Sequence, residues 1–339
     1  MDISVVIACY NRIELLKLTV ENAGRAIEGL NAEIILVDDG SEPAISSQLH
    51  EPEYKALPLK FIRHVNSGLV YSKYVGMMAS QGRYIQFLDS DDHIAPDKLT
   101  KQVTAMDAQS ADVSYTDLLT CDFTDSNELI AREAAMVKFS ERPPEFYIGV
   151  QPAPHSPVFR RSYLLNYLTE PFIPVNRVFD SIGEVWMYYN LAVYPAKIIK
   201  VDEPLTFIVH HTQERITNCW ENLGLSALAI KKTFSKRVPN AMHAADAKRC
   251  VGQAAFNSFR GLPYNIDFSY QYELVKVWRQ LGASQPIGGS NYKFLSKLFG
   301  PVPAAVMMKL LLRKNYNKIR TIADADFKKK LKKVFEIEM

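Results

Sequence analysis

Cysteine is scarce in these 339 residues. The four (Cys9, Cys121, Cys219, Cys250) lie too far apart for a disulfide framework. No pair has C-x-x-C spacing, which argues against a zinc ribbon or redox pair and for reduced thiols in a cytoplasmic protein. The N-terminus enters a strand-like segment at once, with no basic leader or cleavage site, so no secretory signal is expected. Long apolar runs are missing too. The longest, residues 301–308, falls well short of the roughly 20 residues that cross a bilayer. Internal repeats and low-complexity linkers are also lacking. Net charge is only +3, and no nucleic-acid partner is expected. The small excess is uneven: residues 291–339 hold twelve Lys or Arg against four Asp or Glu, a net +8, which leaves residues 1–290 at −5.

What is present describes a globular chain. Hydrophobic residues at 47% and charged residues at 23% are ordinary, and the length suits one large α/β domain with a smaller piece appended. Residues 3–8 form an apolar, β-branched run, as in a strand buried on both faces of a mainly parallel sheet. Asn11 and Glu14 have capping-box spacing, and Leu16, Val20, Ala23, Ile27 and Leu30 follow as one helical stripe ending near Gly29. Strands are expected at 34–37, 59–63 and 84–88, with a helix over 68–79. Further strands are expected near 112–116 and 157–159, then a helix from about Ser181 and a strand pair at 198–201 and 205–210. From Trp220 onward the periodicity is helical. Alternating strands and helices imply parallel pairing. In such sheets ligands bind at the carboxyl ends of strands, which singles out Cys9-Tyr10-Asn11, Asp38-Asp39 and Asp89-Ser90-Asp91-Asp92.

The last of these places three carboxylates within four residues. Packed so closely they repel, and a divalent cation taking hard oxygen ligands and bridging to a diphosphate would relieve the repulsion. A helix N-cap cluster before Pro96 explains the same residues. For Asp38 the expected role is a turn in which the carboxylate accepts from nearby backbone.

Three ordered blocks carry a resemblance: Ser4-Val5-Val6-Ile7-Ala8-Cys9-Tyr10-Asn11-Arg12, Ile35-Leu36-Val37-Asp38-Asp39-Gly40-Ser41, and Gly82-Arg83-Tyr84-Ile85-Gln86-Phe87-Leu88-Asp89-Ser90-Asp91-Asp92. Together they resemble the family 2 glycosyltransferases of the GT-A fold, over residues 1–215. A helical region with a basic tail would occupy 216–339. The resemblance implies that Ala8, Tyr10, Asn11, Asp39, Lys73, Asp89 and Ser90 lie around the nucleotide. Tyr10 would pack on the base and Asp39 would accept a hydrogen bond from it. It also implies Asp91 as main metal ligand, Asp89 nearer the ribose and the metal's second shell, His211 close to the metal or diphosphate, and Mn²⁺ or Mg²⁺ as cofactor. His155 falls where the acceptor-binding half begins, as an acceptor contact or a buried structural histidine. Where the family often has Ala-Arg-Asn, this chain has Ser72-Lys73-Tyr74, and Lys73 also reads as a solvated helix face.

Inverting transfer needs a general base. The family often supplies it from Glu-Asp followed by an aromatic residue. Here the segment reads Asp180-Ser181-Ile182-Gly183-Glu184-Val185-Trp186, leaving Glu184 as candidate and Asp180 as fallback. The expected activity is transfer of a sugar from a nucleotide diphosphate donor, UDP-sugar foremost, to a glycan or lipid-linked hydroxyl. A catalytically silent nucleotide-sugar-binding subunit and a sugar-phosphate nucleotidyltransferase remain as alternatives. Homo-oligomerisation stays open. So does a peripheral membrane contact through the basic tail, whose apolar part could instead pack on the protein.

Overall fold

The computed structural model describes residues 1–49, 51–124, 129–210, 219–282, 288–312 and 315–336. The chain divides into two compact units: residues 1–171 with 175–213, and residues 172–174 with 214–339.

In the first unit the strands are Ile3–Cys9 (β1), Ala32–Asp38 (β2), Leu59–Arg63 (β3), Tyr84–Asp89 (β4), His93–Ile94 (β5), Val113–Phe123 (β6), Leu129–Ala135 (β7), Val158–Arg160 (β8) and Ile198–His210 (β9). Its helices are Ile13–Ala26 (α1), Pro52–Lys55 (α2), Leu69–Ala79 (α3), Lys98–Gln109 (α4), Arg161–Leu168 (α5) and Val185–Leu191 (α6). Among the described residues the strands form one mixed sheet in the order β3-β2-β1-β4-β8-β6-β9-β5, with β7 on β6. β1 is buried along its whole length, which explains its unbroken apolar sequence. Each fully buried Val, Leu or Ile side chain contributes about 1.5–3 kcal/mol, so this strand and β2 anchor the core.

β1 pairs in parallel with both β2 and β4, bringing Cys9 beside Asp38 and Ala8 beside Asp89. The chain winds outward from β1 through β2 and β3, then returns to β4 on β1's other side. This reversal opens the crevice in which open α/β sheets take ligands, and all three polar motifs end there. Helix α3 approaches the sheet closely at Gly76, where a Cβ would strike Val6 and Val37. That approach seats Lys73, one turn earlier, at the crevice.

Three local expectations need correction. The Asn11–Glu14 capping box does not form: Asn11 and Arg12 both adopt φ 55°, and Arg12 is the N-cap without a side-chain cap bond. The Asn11 side chain instead accepts from the Glu42 amide, and its own amide donates to Ser41 Oγ. The strand pair at 198–210 is one strand, β9, whose register against β6 shifts between Thr116 and Leu118. Lys200 steadies this irregularity by pairing with Asp117 and Asp202 at 2.7 and 2.9 Å. The helix expected from Ser181 is a 3-10 turn over Arg177–Ile182, broken at Gly183 (φ 45°), after which α6 begins.

The second unit is helical as described: Trp220–Arg237 (α7), Ala244–Gly261 (α8), Phe268–Gln280 (α9), Ser290–Phe299 (α10), Pro301–Leu312 (α11), Tyr316–Ile319 (α12) and Asp324–Glu336 (α13). Phe256 and Trp278 pack against each other between α8 and α9, with ring centroids 4.4 Å apart and ring planes tilted by 35°. No helix among the described residues is long and apolar enough to cross a membrane.

Candidate active site

Tyr10 leaves the end of β1 with half its surface exposed, the only large side chain of its motif to face solvent. Ala8 and Cys9 behind it are buried, so the crevice floor at β1 is backbone. Asn11 lies on the strained turn already described. Its side chain and amide tie that turn to the segment after β2, a structural duty the nucleotide-contact expectation did not include.

The two aspartates after β2 separate clearly. Asp38 accepts from the Ser41 and Ile45 amides at 2.8 and 3.1 Å, as the turn reading requires. Asp39 is also buried: its oxygens accept from the Ser67 amide at 2.6 Å and the Gly68 amide at 3.0 Å, and His64 Nδ1 stands 3.4 Å away. Asp39 therefore clamps the loop leading into α3.

Asp180 reaches the same place from the other side. Its Oδ1 accepts from the Val70 amide at 3.0 Å, in the first turn of α3. Gly68, at φ 100°, leaves the room for this carboxylate, since a Cβ there would collide with it. Burial, against the pull of the Val70 amide and Arg177 and with the aid of Asp39, pushes the Asp180 carboxyl up to about 6.

One turn along α3, Lys73 overturns the solvated-face expectation. It is buried, with Nζ 2.5 Å from Asp89 Oδ1 and in charge contact with Glu184 Oε1. These contacts are Coulombic rather than aligned hydrogen bonds: Lys73 Nζ, Asp89 Oδ1 and Glu184 Oε1 are all buried without an aligned partner. Glu184, expected to face a cleft freely, is buried at the N-terminus of α6 and held by this lysine. An apolar wall of Val70, Tyr74, Met77, Phe87, Trp186 and Met187 lines a small gap of about 20 Å³ beside the Lys73–Glu184 pair.

The acidic turn after β4 is not a helix cap, for the N-cap of α4 is Asp97. Each of its carboxylates meets a different basic side chain. Asp89 has Lys73, Asp91 has Arg12 at 3.5 Å, and Asp92 has His155 Nδ1 at 2.8 Å. Ser90, on the turn between them, is half-buried. His155 is completely buried, and its Nε2 faces the Phe207 carbonyl at 2.9 Å. Burial disfavours its charge, but Asp92, the carbonyl and Asp89 outweigh that and raise its pKa. It is the buried structural histidine of the two readings, since the protein surrounds both ring nitrogens and an acceptor sugar cannot reach them. His211 lies outside the described residues.

The sequence reading missed the support beneath this turn. Lys98, fully buried, donates to Gln86 Oε1 at 2.6 Å, and Gln86 donates to the His155 carbonyl at 3.1 Å. Burial drives the Lys98 pKa well down. Asn22 of α1 exchanges two 2.9 Å hydrogen bonds with Ile94, fixing β5 at the turn's far end. A glutamine inside the otherwise apolar β4 was the available signal.

Residues 4–168 match the family model described as glycosyl transferase family 2. The succinoglycan biosynthesis protein ExoO of Rhizobium meliloti is 32% identical over 120 residues, 34% of this chain and 33% of that protein. The UDP-Glc:alpha-D-GlcNAc-diphosphoundecaprenol beta-1,3-glucosyltransferase WfaP of Escherichia coli is 27% identical over 150 residues, 43% of this chain and 54% of that one. Both matches thus span less than two thirds of the relative's length. Among solved structures, S. aureus TarS 1-349 in complex with UDP-GlcNAc superposes with a TM-score of 0.61 at 16% identity, covering 95% of this chain and 93% of the other. With its sheet order, its motifs at the sheet's carboxyl edge and these matches, residues 4–168 form a glycosyl transferase family 2 domain, and the chain has the GT-A fold.

Proposed function

We propose that the chain transfers a sugar, with inversion, from a nucleotide diphosphate donor to a hydroxyl of a glycan or lipid-linked acceptor. UDP-sugars are the first donors to test. The observation that carries this reading is the gathering of Tyr10, Asp39, Asp89 and Asp91 just beyond the carboxyl ends of the neighbouring strands β2, β1 and β4, with Lys73 against Asp89. An exposed aromatic ring suits a base, a nearby carboxylate suits an imide N–H, and a lysine suits a diphosphate. ExoO and WfaP, named for polysaccharide and lipid-linked glycan synthesis, support the acceptor class.

The residues at the acidic turn fit a divalent cation. Asp89 Oδ1 is a buried oxygen without an aligned hydrogen bond, and Asp91 follows two residues later. Among the described residues no three His, Cys, Asp or Glu side chains converge, so the donor's diphosphate would complete the shell, as Mg²⁺ sites often require. Asp91 and Asp89 would hold Mn²⁺ or Mg²⁺. When bound, the cation supplies Lewis-acid stabilisation of the leaving diphosphate. Lys73, held between Asp89 and Glu184, would add its charge to the diphosphate. Glu184 would then take the proton of the acceptor hydroxyl on a carboxylate oxygen, and Asp180 is the fallback base.

One observation favours a second reading, binding without transfer. Glu184 is buried against Lys73, and its neighbour Val185, where the family often has a second acid, cannot accept a proton. Both readings meet the same experiment, in which nucleotide sugars are screened with Mn²⁺ for thermal stabilisation and then for hydrolysis and transfer. Stabilisation with turnover supports the transferase, stabilisation without turnover supports the binding subunit, and neither with any donor overturns both.

A further inference from the structure

The basic tail divides into two helical parts with opposite fates. In α13, Phe327, Leu331 and Val334 are buried, and the helix packs on α7. Its lysines occupy the solvent face, where Lys330 donates to Asn222 and Lys328 pairs with Asp324. The apolar stripe of α13 is therefore spent within the protein.

The α10–α11 hairpin is different. Phe294 and Leu298, one turn apart on α10, are 64% and 60% exposed, and Leu311 on α11 is 72% exposed. Phe299, Met307 and Leu310 are exposed beside them. The hairpin is pinned on its other side: Tyr292, Ala304, Ala305 and Lys309 are buried. Lys309 also hydrogen-bonds Gln271 of α9 at 2.8 Å and lies over the Phe259 ring of α8. The apolar face thus cannot turn inward without breaking these contacts. Patches of this kind mark a partner surface. Lys293 and Lys297 stand exposed next to Phe294 and Leu298, and the tail carries +8 in all.

We propose that the outer face of the α10–α11 hairpin docks on an anionic lipid bilayer. Aromatic and aliphatic side chains enter the boundary between headgroups and acyl chains, while Lys293 and Lys297 meet lipid phosphates. At 12 residues α11 is about 18 Å long, too short for the ~30 Å hydrocarbon core, so the hairpin lies in the interface. This inference stands on the second unit alone and does not depend on the transfer reading.

The test is co-sedimentation of the full chain with vesicles of phosphatidylglycerol and phosphatidylcholine, or of phosphatidylcholine alone, at low and high salt. The wild type should sediment with the anionic vesicles. Leu298→Glu/Leu311→Glu should weaken binding at least about tenfold at both salt concentrations. Lys293→Glu/Lys297→Glu should abolish the preference for anionic lipid. All four positions are exposed, so circular dichroism should be unchanged. Leu298→Trp should gain fluorescence quenching by brominated acyl chains over the wild-type background. The proposal is overturned if the wild type does not sediment, if the leucine variant binds as before, or if the lysine variant keeps the anionic preference. A wild type that is dimeric without lipid, and that the leucine variant converts to a monomer with vesicle binding unchanged, would assign the face to a second copy of this chain instead.

Discussion

The carboxylates at the two ends of the crevice are neutralised differently. Asp39 and Asp180, around the start of α3, are satisfied by backbone amides of Ser67, Gly68 and Val70. Asp89, Asp91 and Asp92, after β4, are satisfied by Lys73, Arg12 and His155. An amide cannot leave its carboxylate without unfolding a loop, whereas a side-chain cation can swing aside for an incoming ion or phosphate. The first cluster is tied to backbone and holds shape; in the second, His155 is fixed behind Asp92, and we propose that Asp89 and Asp91 are the carboxylates that exchange partners.

The largest expected effect falls on the exchangeable cluster. Asp91→Ala should remove more than about 10²-fold of turnover while the thermal midpoint stays within a few degrees of wild type, and full activity in excess chelator would refute the metal's part in it. Glu184→Gln should lower the transfer rate roughly 10²–10⁴-fold with little change in donor affinity, measured by steady-state kinetics and donor titration. If Asp180→Asn does this instead, the base belongs to the amide-held cluster and the contrast fails.

Lys73→Met leaves the buried Glu184 carboxylate and the partly buried Asp89 uncompensated and should cost about 3 kcal/mol in urea denaturation. Adding Glu184→Gln should recover part of that loss. A variant as stable as wild type would mean that the pair adds nothing to the fold.

The smallest effect concerns pH. Asp180 titrates near 6 in the folded chain against roughly 3.9 unfolded, so the native state holds the extra proton between these values. Its contribution favours folding most below about pH 4 and fades as pH rises to 6. Asp180→Asn keeps an acceptor for Val70 and should be more stable than wild type at pH 7 by about 1–2 kcal/mol, less than the full shift because the side chain is partly solvated. The gain should vanish below pH 4, as thermal melts across that range would show.

Much of the first unit was legible because buried strands leave a strong mark. β1, β2 and β4 lie where mostly apolar runs ended in polar residues, and those ends form the crevice. The Asn11–Glu14 pair misled because capping-box spacing is local, while the Asn11 side chain was claimed by Glu42, thirty-one residues away. Residues 202–204 looked like a turn between two strands, yet pairing with β6 on both sides keeps β9 continuous. Lys73 was read as solvated because α3 offers no sequence sign of which polar residue faces inward. Its partners Asp89 and Glu184 lie 16 and 111 positions further along the chain.

The sequence alone determined the α/β half, the arrival of its polar motifs at the carboxyl ends of the strands, and the residue types found there. Hydrophobic periodicity and turn chemistry are short-range properties, so a linear reading recovers them. Only the tertiary structure decided which charge meets which. It joined Lys73 to Glu184, closed His155 behind Asp92, and turned the apolar stripe of α13 inward while leaving that of α10 and α11 outside. Those outcomes depend on Coulombic and packing contacts between segments distant in sequence, which become defined only when the chain has folded.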